Sequence, residues 1–309
     1  MESIQKHVPV MLNEVLQNLN IADNKVYVDA TFGFGGYTSA ILEKANCKVI
    51  AIDRDPCVLP QAKTFKEKYQ NRFEFRSGCF SDLLNLVKEP IDGIVFDIGV
   101  SSMQLDDAER GFSFSKEARL DMRMSQSGLS AYEIVNEYSQ TDIANILYTF
   151  GEERKSRQIA QKIVEIREKK PIETTTELAQ IIHSIIHKKT GQIDPATKSF
   201  QALRIAVNDE LNELKKGLEA ACTLLKPEGR LVVVDFHSLE DRIVKNFLKE
   251  NAEPKTHVSR YAKTITQTNK TFSYVSKAIT PTQSEIFKNP RARCAKLRFA
   301  VKNKGDEND

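Results

Sequence analysis

The sequence predicts an α/β fold, a doubly wound parallel sheet interrupted by an all-helical insert. Three observations predict it. Short, continuously apolar runs alternate with helical patterns over residues 25–97. Helical periodicity alone follows over 130–218, and strand character returns at 230–236. The expected division is a discontinuous core at 1–110 and 211–309 and a helical insert at 111–210.

Taken in order, residues 25–30 read as a strand ending near Asp29, and 37–45 as a helix. Residues 47–53 form a second strand, with Val49, Ile50, Ala51 and Ile52 unbroken, and 57–70 are helical. A short third strand is expected at 72–76 and a fourth at 91–97, centred on Ile94, Val95 and Phe96. Apolar strands between helices imply a sheet covered on both faces, and right-handed crossovers place the fourth strand beside the first. Residues 101–125 read as a polar loop. Phe200, Leu203, Val207, Leu211, Leu214 and Leu218 recur every three or four residues, which predicts one continuous helix. The Pro227-Glu228-Gly229 turn precedes the late strand, and Ser238 with Asp241 reads as a capping box opening the next helix. Residues 304–309 look like a disordered tail.

Composition narrows the function classes. Hydrophobic residues at 40% and charged residues at 28% allow a packed core and argue against wholesale disorder. No apolar run approaches the ~18 residues of a membrane helix, and the first residues carry no signal-peptide core. The five cysteines, at 47, 57, 79, 222 and 294, include no CxxC pair. Reduced thiols and a cytoplasmic location are expected, with no metal centre and no membrane partner. His183 and His187 have ligand spacing on a helix, but no third ligand accompanies them. The net charge of +3 hides an asymmetry: residues 254–304 hold twelve Lys or Arg against one acid, Glu285. A basic segment on an otherwise acidic chain points to a polyanion, and a solvated lysine-rich surface is the alternative.

The site signals lie at strand ends. The run DATFGFGGYT at 29–38 joins the first strand to the next helix, and Gly33, Gly35 and Gly36 allow a tight turn close to a ligand. Thr38 stands where a dinucleotide fingerprint wants Gly or Ala. Asp53 ends the second strand, where an acid can accept from both ribose hydroxyls of an adenosine; capping the next helix is its other use. Asp29 would repel a pyrophosphate but not a sulfonium, which favours S-adenosylmethionine over NAD. Asp97 ends the fourth strand, and the Ser101-Ser102 loop follows it; a carboxylate there could hold the N–H groups of a weakly nucleophilic amine. His237 reads either as a site residue or as a helix-entry residue. Gln201, Arg204 and Asn208 form a polar stripe, either a solvated face or a substrate surface. Arg291, Arg293, Lys296 and Arg298 alternate with small or apolar residues, as on a strand presenting cations to phosphates or on an ordinary charged edge.

Eight segments then resemble one family in order along nearly the whole chain: HVPVML at 7–12, 29–38, DIGVSS at 97–102, QLDDAERGFSF at 104–114, LDMRM at 120–124, FQALRIAVNDEL at 200–211, DFHSLEDR at 235–242 and NPRAR at 289–293. The sequence resembles the MraW family of ribosomal RNA small-subunit methyltransferases. The resemblance implies a class I (Rossmann-like) S-adenosylmethionine-dependent methyltransferase core with an inserted helical domain. It implies rRNA (cytosine-N4-)-methyltransferase activity on a cytidine in the decoding region of 16S rRNA, with the assembled small ribosomal subunit as the expected partner. It carries the family's cofactor contacts to Gly35, Gly36, Tyr37, Asp53, Phe80, Asp97 and Gln104, to which the turn adds Gly33. Catalytic candidates remain Asp97, Ser101, Ser102 and His237; RNA-binding candidates are Arg204, Asn208, Arg291, Arg293 and Lys296, with the insert as an RNA domain. This chain departs from the family at Tyr37 (often His), Met103 (a common Pro), 117–119 (an Asp-Gly-Pro stretch) and Cys294 (usually Ser). The competing readings are an NAD-dependent oxidoreductase and a non-enzymatic RNA-binding assembly protein. Oligomeric state is open; an apolar stripe exposed on the insert would make a homodimer the expectation.

Overall fold

The computed structural model describes residues 9–187, 193–252 and 270–304. The beginning of the 7–12 motif, the basic residues 255–263 and the tail 305–309 lie outside the described residues. Two compact units emerge, Met1–Gly99 with Leu211–Asp309, and Val100–Glu210. The first division falls at 99/100, where 110/111 was expected; the second falls at 210/211.

The first unit is built on a sheet of seven strands among the described residues: β1 Val26–Asp29, β2 Lys48–Asp53, β3 Phe73–Ser77, β4 Ile91–Asp97, β5 Leu225–Asp235, β6 Phe272–Val275 and β7 Lys296–Lys302. Their order is β3-β2-β1-β4-β5-β7-β6. β1 to β5 run parallel, and β7 pairs antiparallel with β5 and β6. The fourth strand therefore does lie beside the first. Helices cover the sheet: Val28, Ile50, Ile94 and Val233 share one apolar core with Leu214, Leu218, Val244 and Leu248 from flanking helices. Such strands, buried on both faces, read as unbroken apolar runs, which is why the sequence reveals them. β5 starts earlier than expected. Its pairing with β4 shifts between Ile91 and Gly93, and Glu228 takes φ 62° at the turn signal, so the turn is an irregularity within the strand.

The second unit contains helices Ala131–Glu137, Gln140–Gly151, Ser156–Arg167, Thr175–Ile185 and Ala196–Asn208 around a core of its own, including Ile134, Ile143, Leu147, Ile159, Leu178 and Leu203. The polar-loop expectation for 101–125 is corrected. Ser102–Asp106 is helical and Ala108–Arg110 a 3-10 turn, and Phe112, Leu120, Met122 and Met124 are buried in this core. The single helix expected through 200–218 is also corrected. It breaks at Asp209 (φ 50°), giving Ala196–Asn208 and Glu210–Leu224. The apolar spacing stays in phase across the break, so periodicity alone cannot reveal it.

Candidate active site

Four parallel strands of the first unit end in acids: Asp29 on β1, Asp53 on β2, Asp97 on β4 and Asp235 on β5. Carboxyl ends of strands are where open α/β sheets bind ligands. Asp29 is fully buried and braces the following turn. Its carboxylate accepts from the Thr38 hydroxyl at 2.7 Å and from the Thr31 N–H at 3.2 Å. The Thr31 hydroxyl in turn accepts from the Asp97 N–H at 2.8 Å, tying the turn to the end of β4.

Asp53 fixes the other side of the turn. One of its oxygens accepts from the Gly33 N–H at 2.8 Å and the other from the Asp55 N–H at 2.9 Å. Gly33 and Gly35 take φ +50° and +75°, a conformation that favours glycine. A side chain at Gly33 would meet no atom of the described residues within 4 Å, whereas one at Gly35 would collide with Phe32 and Phe65. Gly36 begins the helix Gly36–Lys44 against Pro9, and the buried Tyr37 donates its hydroxyl to the Val10 carbonyl. Phe80 stands edge-on to Phe96, with ring centroids 5.6 Å apart, beyond β3.

The acids are electrostatically unusual. Burial, then Asp29 and Glu240, pushes Asp97 up to about 8. Asp97 is half-buried, yet its Oδ1 is enclosed without a hydrogen-bond partner among the described residues. Burial, then Asp241 and Glu240, pushes Asp235 up to about 8, and neither of its carboxylate oxygens has a hydrogen-bond partner among the described residues. Asp29 is pushed up to about 6 and Asp53 is raised, both mainly by burial. A buried carboxyl with a raised pKa and a free acceptor atom is suited to a cationic or N–H-donating ligand.

The other candidates fall into different settings. His237 is the N-cap of the helix Ser238–Asn251: its Nδ1 accepts from the Glu240 N–H at 3.4 Å, and Glu240 accepts from the His237 N–H at 3.2 Å. The capping box is thus His237–Glu240, one residue before the expected Ser238–Asp241, and the ring serves helix entry. Ser101 and Gln104 lie in the second unit and cap Ser102–Asp106 reciprocally, through Gln104 N–H to Ser101 Oγ at 3.3 Å and Ser101 N–H to Gln104 Oε1 at 3.0 Å. Ser102 is the first residue of that helix.

Three RNA-binding expectations change. Asn208 is buried. It accepts from the Met124 N–H at 2.8 Å and donates to the Met122 and Arg204 carbonyls at 2.7 and 2.9 Å, so it fastens 122–124 to its helix and presents nothing to RNA. Arg204 holds Glu210 through two nitrogens, at 2.7 and 2.8 Å. Lys296 and Arg298 do share one side of a strand, but there they meet Asp241 at 2.7 and 2.8 Å. Arg291 and Arg293 are exposed, on a 3-10 turn rather than a strand. His183 pairs with Asp194 at 2.7 Å. Asn208→Ala should therefore lower stability by about 3 kcal/mol through unsatisfied buried groups, read by denaturant unfolding. Unchanged stability with weakened RNA binding would restore its binding role.

A model of the MraW methylase family matches residues 4–303. The chain belongs to this family. Ribosomal RNA small subunit methyltransferase H of Rickettsia massiliae (strain Mtu5) is 52% identical over 301 residues, 96% of this chain and 98% of that protein. The protein of the same name from Rickettsia akari (strain Hartford) is 51% identical over 97% of this chain and 99% of its own. Among solved structures, an rRNA methylase from Streptococcus thermophilus is similar over 94% of this chain and 93% of its own, at 12% identity and a TM-score of 0.42.

As an MraW-family methylase, the chain uses S-adenosylmethionine as methyl donor. The residues present fit that group. The enclosed Asp97 Oδ1, unpartnered among the described residues, offers an acceptor in an acidic setting that suits a sulfonium, and the Gly33 position, which no described atom crowds within 4 Å, admits a ligand next to Asp53. The set of four strand-end acids, Asp29, Asp53, Asp97 and Asp235, is legible in the sequence only piecemeal. Asp235 was legible only as the residue closing the late strand.

Proposed function

We propose that this methylase transfers the methyl group to the exocyclic N4 of a cytidine in the decoding region of 16S rRNA, with the assembled small ribosomal subunit as substrate and the cytoplasm as its location. The observation that carries the reading is the full-length similarity to proteins named ribosomal RNA small subunit methyltransferase H. The strand-end acids support it chemically.

The donor supplies an electrophilic methyl already activated by the sulfonium charge. The protein's task is binding, alignment and control of one proton. Asp53 accepts from ribose hydroxyls, while the 33–36 turn brings the backbone close. Asp97 accepts an N–H of the cytosine amino group. This counters delocalisation of the nitrogen lone pair into the ring and leaves an acceptor for the proton released on methylation. A cationic neighbour lowers a buried carboxyl's pKa, so Asp97 is ionised when that cation is in place. Ser101, Ser102 and Gln104 enter the proposal only through their motif. His237 acts through the helix cap. The helical insert would hold the RNA, with the target base flipped out of its stack.

The test is to incubate the protein with methyl-labelled S-adenosylmethionine and small subunits from a strain lacking this modification. Label in 16S rRNA supports the reading. Label in a ribosomal protein, or none while the cofactor binds, overturns it.

A further inference from the structure

We propose that residues 287–293 of the first unit form a docking patch for single-stranded RNA: Phe287 stacks an unpaired base, and Lys288 and Arg293 meet the adjoining phosphates. This rests on RNA being the substrate and names the surface that receives it. Phe287 is 90% exposed, more than any other large hydrophobic residue described. Lys288, Arg291 and Arg293 are exposed beside it in the chain.

The segment is held in this posture. Thr282 caps the helix Gln283–Lys288 by accepting from the Glu285 N–H at 3.2 Å. Asn289 accepts from the Arg291 N–H at 3.2 Å at the start of the 3-10 turn Pro290–Cys294. Ala292 and Ala295 are buried beneath the turn. Glu285, the segment's acid, accepts from the Met11 N–H at 2.6 Å, which anchors the helix and engages the carboxylate. A ring fixed outward by its backbone binds without a large ordering cost.

The rest of the basic C-terminal stretch is turned to other uses. Asp241 holds Lys296 and Arg298, and Lys302 donates to the Cys222 and Leu225 carbonyls at 2.7 and 2.5 Å. Sequence charge therefore overstates the polyanion surface at 296–302, whereas Lys288 and Arg293 are exposed within six residues of Phe287. The exposed neighbours on the helix are the polar Thr282, Gln283 and Ser284. Among the described residues, one aromatic face with cations and polar groups next to it in the chain fits a base and its backbone better than the apolar core of a protein interface.

The experiment titrates the full chain with a fluorescent single-stranded RNA of about a dozen nucleotides, and measures KM for small subunits in parallel. Phe287→Ala and Phe287→Leu should each weaken RNA binding about tenfold, and Phe287→Trp should restore it. The salt slope should be unchanged in these variants but fall by about one in Arg293→Gln. Cofactor affinity should stay at the parent value throughout. Unaltered RNA affinity in Phe287→Ala, in a protein that still methylates small subunits, overturns the patch alone. So does a raised KM for subunits with RNA affinity intact, which would assign the ring to a protein contact. Parent protein that methylates no RNA would instead overturn the substrate reading.

Discussion

Asp97→Asn should make the free enzyme more stable while removing most of its turnover. In the folded chain Asp97 titrates at about 8, against 3.8 for an ordinary aspartate. Between those values the folded state keeps a proton that the unfolded state releases, so stability falls as pH rises from about 4 to about 8. Asparagine removes that penalty. The gain should be about 3 kcal/mol at pH 8, less than the full shift implies because part of the group meets water, and should vanish near pH 3. Turnover should drop about a hundredfold or more, since an amide cannot take the proton released from the amine. The same group makes cofactor affinity pH-dependent. Below about pH 8 a cation must displace the Asp97 proton, so S-adenosylmethionine should bind more tightly as pH rises towards 8. S-adenosylhomocysteine, which lacks the sulfonium charge, should show a flatter profile. Full turnover in Asp97→Asn would remove this residue from the mechanism.

Asp53→Ala should raise the Kd for S-adenosylmethionine about a hundredfold and leave kcat at saturating cofactor within a few-fold of the parent, because hydrogen bonds to a charged acceptor contribute about 1.5–3 kcal/mol. The substitution also strips the Gly33 and Asp55 N–H groups of their acceptor. Asp53→Asn, which keeps an amide oxygen for one of them, separates collapse of the turn from loss of the ribose contact. Calorimetric titration reads both. An unchanged Kd in Asp53→Ala would limit the residue to shaping the loop.

The sheet was legible because strands buried on both faces cannot hide their composition: 49–52 and 94–96 have no polar residue to pair with water. The break at Asp209 was not, since Leu211, Leu214 and Leu218 continue the spacing of Phe200, Leu203 and Val207 on a separate helix. The polar turns around Met122 and Met124 disguise both as loop residues in the sequence. Their place in the core depends on Asn208, eighty-odd residues away. Asp29, Asp53 and Asp97 could be picked out as strand-end acids. The enclosed Asp97 Oδ1 and the unpartnered Asp235 carboxylate could not, because burial is a property of the packed chain. Charge counting found the basic C-terminal stretch but could not tell Lys296, which meets Asp241, from Arg293, which faces water.

The central claim is tested most directly by identifying the methylated nucleoside. After reaction with small subunits that lack the modification, the 16S rRNA is digested and its nucleosides are resolved by mass spectrometry. The account predicts one new N4-methylcytidine, from a single decoding-region site, formed about a hundredfold more slowly by Asp97→Asn. Methyl groups on another base, on a ring position or ribose, or spread over many sites would contradict it.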